Sequence, residues 1–185
     1  MSGLWVFVCG PSGVCKDSVM NWAATHLAGY QAIVFARRMV TRPAHAGSDH
    51  DEVTPEQFAR LHEGGGLAWQ WKAHGFCYGI DGRYAVQVAA GQVVVVNGSR
   101  EHAGALDDAA HVRVVHVVAD AAHLASRLVQ RGRDAPHEVS QRLARHVHFP
   151  DLRVDHTISN QRALVDAGRE LADYLLACAA IRPKL

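Results

Sequence analysis

Apolar residues gather into three short β-branched runs, Leu4 to Cys9, Val93 to Val96 and Val112 to Val118, and the first two pass straight into polar turns. Continuous runs of this length are what parallel strands covered on both faces require. Between them the spacing predicts helices over Ser18 to Leu27, over Pro55 to Glu63 with Thr54 as N-cap, and over Ala121 to Gln130 with Asp120 as N-cap. An amphipathic helix over Gln161 to Leu176 is expected to close the core. Strands alternating with helices in this way predict an α/β fold, a parallel sheet joined by right-handed crossovers.

Residues 34–81 break the rhythm. They carry the triple glycine Gly64 to Gly66, the aromatics Trp69, Trp71, Phe76 and Tyr78, and the loop Pro43 to Asp51. This stretch reads as a small mixed insertion with short antiparallel strands. Further on, Gly132 and Pro136 interrupt two helical segments, the pattern of a lid. The expected organisation is one domain, with a core of 1–33, 82–130 and 150–185, an insertion of 34–81 and a helical lid of 131–149.

With 185 residues, 49% of them hydrophobic and 20% charged, the chain has material for one core. A formal net charge of +1 gives no global field for a polyanion, so nucleic acid is excluded as a principal partner and any anion site must be a local cluster. The four cysteines Cys9, Cys15, Cys77 and Cys178 lack C-x-x-C spacing, which argues against a zinc ribbon or disulfide framework and suits a reducing cytosol. Thirteen histidines include His146 and His148, but no carboxylate or cysteine stands beside them at ligand spacing, and they read as surface residues. No basic region precedes the first apolar run, and that run is too short to cross a bilayer. The expectation is a cytoplasmic protein with no membrane partner, compatible with an oligomer.

The chemistry begins at Gly10-Pro11-Ser12-Gly13-Val14-Cys15-Lys16-Asp17-Ser18, directly behind the first apolar run. A Gly-rich turn between a strand and a helix points backbone N–H groups at phosphate oxygens, and Lys16 is placed to reach the outer phosphates. Two positions depart from the general pattern G-x-x-x-x-G-K-[ST]: Cys15 replaces its last glycine and Asp17 its magnesium-binding hydroxyl. Asp17 can hold Mg²⁺ directly or through water, with the Ser18 hydroxyl beside it, or it can serve as a helix N-terminal acid. Cys15 places a sulfur where glycine normally allows close backbone approach.

Arginines supply the second signal. Arg127, Arg131, Arg133, Arg142 and Arg145 surround the Gly/Pro interruption, and Arg131, Arg133 and Arg142 are candidates to neutralise a transferring phosphoryl group. Arg37, Arg38 and Arg42, with Tyr78, suit a second, acceptor phosphate. At a strand end, where open α/β sheets bind ligands, lies Asn97-Gly98-Ser99-Arg100.

Together these segments resemble the guanylate kinase superfamily over nearly the whole chain. The motifs are the loop itself, Thr41-Arg42 followed by Gly47, T-P-E-Q-F at 54–58, H-G-F-C-Y-G at 74–79 and R-L-V-Q-R-G-R with the later Q-R-L. The resemblance implies a P-loop kinase core in which Arg42 and Tyr78 bind the acceptor's phosphate and Arg131 and Arg142 serve the transferred one. Guanylate kinases read the base with a glutamate where this chain has Ala68, and with hydroxyls where it has Ile80 and Arg38. Their second phosphate-binding arginine is His45 here, a loop tyrosine aligns with His50, and the strand-end acid is Asn97. A purine's N–H groups would find no acceptor at Ala68, a loss that typically costs a few kcal/mol.

One branch resembles the chain more closely. The ribose 1,5-bisphosphokinases of phosphonate utilisation share Lys16-Asp17-Ser18, T-R-P-A-H-A-G-S at 41–48, Val96 to Arg100, R-G-R at 131–133 and R-L-A-R at 142–145. That resemblance implies transfer of the γ-phosphoryl of ATP to ribose 1,5-bisphosphate, with ATP and Mg²⁺ as cofactors. Loop residues 10–18 would bind ATP, and Asp17 and Ser18 the metal. Arg38, Arg42, His50, Tyr78, Asn97, Ser99 and Arg100 would bind the sugar bisphosphate. The alternatives are a nucleoside monophosphate kinase and a non-catalytic guanylate-kinase-like binding module.

Overall fold

The computed structural model describes residues 3–11, 13–44, 48–104, 111–120 and 153–180. Along these residues the chain runs β1 (Leu4–Cys9), α1 (Lys16–His26), β2 (Ile33–Phe35), β3 (Arg38–Val40), β4 (His50–Glu52), α2 (Pro55–Glu63), β5 (Leu67–Ala73), β6 (Phe76–Asp81), α3 (Arg83–Ala89), β7 (Val93–Asn97), α4 (Arg100–Gly104), β8 (Val112–Val118), β9 (His156–Ser159) and α5 (Leu164–Ala180).

The core sheet has the order β2-β7-β1-β8-β9, and every pairing in it is parallel. Alternation along β1 explains why it lies at the centre. Val6 and Val8 face α1 and α5, packing with Val19, Ala23, Leu171 and Leu175, while Trp5 and Phe7 face α3 and the insertion, packing with Tyr84, Val88, Trp71 and Ile80. Gly168 lets α5 approach α1, since a Cβ there would come 2.5 Å from the Trp22 ring.

The second sheet, β4-β3-β6-β5, lies wholly within the stretch that breaks the strand–helix rhythm. It is mixed: β3 and β4 are parallel, whereas β6 runs antiparallel to both β3 and β5. Val34 and Phe35 belong instead to the core sheet, paired with Val94 and Val95 of β7.

β1, α2 and β8 coincide with the sequence expectation. Thr54 caps α2 in a capping box, its hydroxyl accepting from Gln57 N while the Gln57 side chain accepts from Thr54 N. α1 begins two residues earlier than its periodicity indicates, because Cys15 takes the N-cap position. α5 begins three residues late. Asn160 is still bonded to the sheet through Val118, and the Ala163 carbonyl accepts from Asp166 N in the first turn. The same helix runs on to Ala180 because Cys178 extends its buried face. The expected helix over 121–130 and the lid over 131–149 lie outside the described residues.

Candidate active site

The phosphate loop leaves the carboxyl end of β1 and turns into α1. Gly10 passes so close to β8 that a Cβ would meet the Val117 carbonyl oxygen at 2.5 Å, and Gly13 has φ of 91°. Cys15 then adopts the left-handed conformation, with φ 58° and ψ 34°, and makes no side-chain cap bond to the helix. The sulfur reaches back to the Gly13 carbonyl at 3.6 Å. Glycine suits this position for its backbone angle as well as for its small size. The first turn of α1 presents N–H groups that have no partner within the helix, which is the physical basis of an anion cradle.

Parallel pairing of β1 with β7 sets Val8 beside Asn97, bringing the strand end against the loop. Asn97 is 4% exposed and joins three groups. Its carbonyl oxygen accepts from the Lys16 ammonium. Its amide donates to Asp17 Oδ1 at 2.9 Å and to Asp49 Oδ2 at 2.7 Å. Lys16 also pairs with Asp17 at 3.1 Å, and Arg38 Nη2 pairs with Asp49 Oδ2 at 2.5 Å. A continuous polar chain thus runs from the loop lysine to the insertion: Lys16, Asn97, Asp49, Arg38.

Burial draws the Lys16 pKa below its ordinary value, against the opposing pull of Asp17. Burial acts to raise the Asp17 carboxyl, but Lys16 and the Asn97 amide outweigh it and hold that group well below the usual carboxylate range. Its side chain is still 59% exposed, so solvent screens much of this interaction. Cys9, directly before the loop, is pushed up to about 11 by burial and stays a thiol at neutral pH. A cleft of about 190 Å³ opens beside the polar chain, lined by Asp17, Asp49, Asn97, Arg37 and Phe35 among others. A larger cavity of about 500 Å³ lies between α2 and the β5–β6 hairpin and shares no lining residue with that cleft.

On the other side of Arg38 the insertion is built of rings. Its guanidinium stands 5.9 Å from the centre of the Tyr78 ring. Tyr78 stacks on Trp71 at 5.4 Å, and Trp71 stacks on His102 of α4 at 4.7 Å. Trp69 stands edge-on to Trp5 and Phe7. Ala68 packs against the same cluster.

No protein-family model matches the chain. Curated relatives do: the ribose 1,5-bisphosphate phosphokinase PhnN of Burkholderia mallei is 41% identical over 173 residues, covering 92% of this chain and 94% of the relative. The protein of the same name from Agrobacterium fabrum is 37% identical over 174 residues, with the same coverage. The chain belongs to the ribose 1,5-bisphosphate phosphokinase family. Among solved structures, guanylate kinase from Anaplasma phagocytophilum matches with a TM-score of 0.69 over 95% of this chain and 86% of that one, at 18% identity. That likeness is one of fold, and it agrees with the expected guanylate-kinase-like architecture.

Within this phosphokinase fold the candidate residues take different positions. Lys16, Asp17, Arg38 and Asn97 converge. His50 is fully buried; its Nε2 donates to the Arg42 carbonyl at 3.3 Å, and its Nδ1 faces Asp49 Oδ1 at 3.7 Å. Arg42 is half-buried and Tyr78 buried. Ser99 Oγ accepts from His102 N at 3.1 Å, the bond of a helix cap. Arg100 lies near the Cys9 thiol, and burial lowers the arginine's pKa. Ser12, His45, Arg127, Arg131, Arg133, Arg142 and Arg145 lie outside the described residues.

Two residues that the sequence does not single out join the site. Asp49 carries the link between Arg38 and Asn97. Asn160, at the end of β9, donates to the Val14 carbonyl inside the phosphate loop. The only signal for Asp49 was a carboxylate next to His50. For Asn160 it was an amide directly after a strand, which also describes many turns.

Proposed function

We propose that the chain phosphorylates ribose 1,5-bisphosphate with ATP in the cytoplasm, giving 5-phosphoribosyl 1-diphosphate and ADP, with Mg²⁺ as cofactor. The observation that supports this reading is the polar chain from Lys16 through Asn97 and Asp49 to Arg38, which would join a polyphosphate cradle to a cationic acceptor site.

The residues fit ATP and Mg²⁺. A loop with Gly13 at positive φ, open helix N–H groups and a desolvated lysine suits a polyphosphate. Asp17 and Ser18 are hard oxygen donors of the kind Mg²⁺ takes. When bound, ATP supplies the phosphoryl group and the metal neutralises part of its charge. Lys16 would keep its bond to Asn97 and exchange Asp17 for phosphate oxygens, and its low-dielectric setting makes that ammonium count for more than it would in water. Loop residues 10–18 would orient the donor. Arg131, Arg133 and Arg142 would offset charge on the transferred group as the lid closes.

On the acceptor side Arg38, Arg42 and Tyr78 would hold a phosphate, with Arg100 supplying a further cation. Asn97 would orient Lys16, Ser99 would set the start of α4 through its cap, and His50 would act from behind, through Arg42 and Asp49. No general base is needed, because a phosphate oxygen is already a competent nucleophile, and positioning and charge supply most of the rate. The aromatic packing around Ala68 supports an acceptor without a base. A coupled ATP assay offering ribose 1,5-bisphosphate and GMP in parallel tests the proposal: ribose 1,5-bisphosphate turns over faster, and faster turnover of GMP overturns it.

A further inference from the structure

Asp49 stands in the cleft with its two oxygens in different situations. Oδ2 accepts from Arg38 Nη2 at 2.5 Å and from Asn97 Nδ2 at 2.7 Å. Oδ1 is 3.7 Å from His50 Nδ1, beyond hydrogen-bond reach, and the side chain is 25% exposed. The carboxylate is therefore held rigidly by one oxygen while the other keeps acceptor capacity beside the cleft.

A sugar bisphosphate presents two kinds of polar group. Its phosphates are anionic and would be repelled by a carboxylate at contact distance. Its ring hydroxyls are donors, and a carboxylate accepts from them with a charge-assisted bond. Only a hydroxyl, then, can favourably face Asp49. Fixing a carboxylate inside a site for a doubly anionic ligand is otherwise unfavourable, and Arg38 offsets only part of that cost.

We infer that Asp49 is a specificity-determining residue which accepts a hydrogen bond from a secondary ring hydroxyl of the acceptor sugar. The assignment rests on the acceptor proposed above. It gives a site with no base reader another means of recognition, because an acceptor lacking the hydroxyl leaves a desolvated carboxylate oxygen unpaired.

Calorimetric titration of the full chain without ATP tests it, using ribose 1,5-bisphosphate and its 2-deoxy and 3-deoxy analogues. Wild-type protein is expected to bind one of the two analogues at least about tenfold more weakly than the parent sugar, the scale of a hydrogen bond to a charged group. In Asp49→Ala that ratio falls to about threefold or less, and Asp49→Asn, whose single oxygen is taken by Arg38 and Asn97 and whose other atom is an NH2 that cannot accept, gives a similar fall while keeping Arg38 in place. Equal wild-type affinity for all three sugars overturns the inference even if the protein folds and phosphorylates ribose 1,5-bisphosphate. So does a uniform loss of affinity for all three in Asp49→Ala, which would mean that Asp49 acts only through Arg38. Failure of every sugar both to bind and to be phosphorylated would instead overturn the acceptor class itself, and this assignment with it.

Discussion

The side-chain amide of Asn160 donates to the backbone carbonyl of Val14 at 2.7 Å, tying the end of β9 to the middle of the phosphate loop across 146 positions of sequence. Both groups are buried, so the bond has no water to replace it. The loop's shape therefore depends on a strand at the far edge of the core sheet.

Asn160→Ala leaves the Val14 carbonyl without its donor, at a cost of about 1–3 kcal/mol. Denaturant unfolding should show that loss, and steady-state kinetics should show a raised KM for ATP with a smaller change for the acceptor. Asn160→Asp, which sets an unpaired carboxylate against the same carbonyl, should lose at least as much as Ala. Wild-type ATP affinity in both variants would rule out a role in shaping the loop.

Cys15 leads to the opposite expectation. A residue with a Cβ at φ 58° carries a left-handed penalty of roughly 1–2 kcal/mol. Glycine removes that penalty but gains about 0.4–1 kcal/mol of unfolded-state entropy. Cys15→Gly should then be more stable by up to about 1.5 kcal/mol, with ATP turnover kept or raised. A large loss of activity would give the thiol a positive role.

These two residues also mark where the sequence stops being legible. Strands β1 and β8, helix α2 with its Thr54 N-cap, and the lysine of the phosphate loop could all be read, because each is specified by neighbours close in sequence. Asn97 was visible as a strand end, but its bonds to Lys16, Asp17 and Asp49 come from the register that sets it beside Val8. The Trp71–His102 stack needs the insertion folded onto the core before either ring has a partner. Cys15 reads as a misplaced side chain, and only the backbone shows that the strain lies in φ. β2 and β9 have three and four residues, too few for alternation to stand out, and with β9 unread Asn160 had no context.

Asp17 sets an acid limb. Its carboxyl titrates below the ordinary value of 3.8 in the folded chain, because Lys16 and Asn97 outweigh the effect of burial. Just below that pH the unfolded chain binds more protons than the folded one. The contribution to stability is complete above about pH 4 and is lost as the pH falls further. Asp17→Asn should flatten that part of a stability-versus-pH curve followed by circular dichroism. An unchanged acid limb would show that other carboxylates govern it.

Lys16→Ala should abolish phosphoryl transfer while leaving the fold intact. Lys16 stands at the phosphate-loop end of the polar chain that runs through Asn97 and Asp49 to Arg38, and its buried setting means that no surface lysine can substitute for it. Single-turnover measurement with saturating substrates separates lost chemistry from lost affinity. Retention of more than about one hundredth of wild-type turnover would exceed what removing a preorganised charge in such a site ordinarily leaves.

Trp71 carries the last prediction, since it lies between Tyr78 of the insertion and His102 of the core. Truncating a buried aromatic residue costs about 3–5 kcal/mol, and in Trp71→Ala the loss falls on the seam between the two sheets. The proposed acceptor site would depend on that seam for its geometry, whereas the phosphate loop is held by Gly10 against β8 and by Asn160. The acceptor KM should therefore rise several-fold while nucleotide affinity changes little. A Trp71/His102 double-mutant cycle should return about 0.5–1.5 kcal/mol of coupling beyond area burial. Equal losses of ATP and acceptor affinity in Trp71→Ala would mean that the stack supports the whole domain and not the acceptor side.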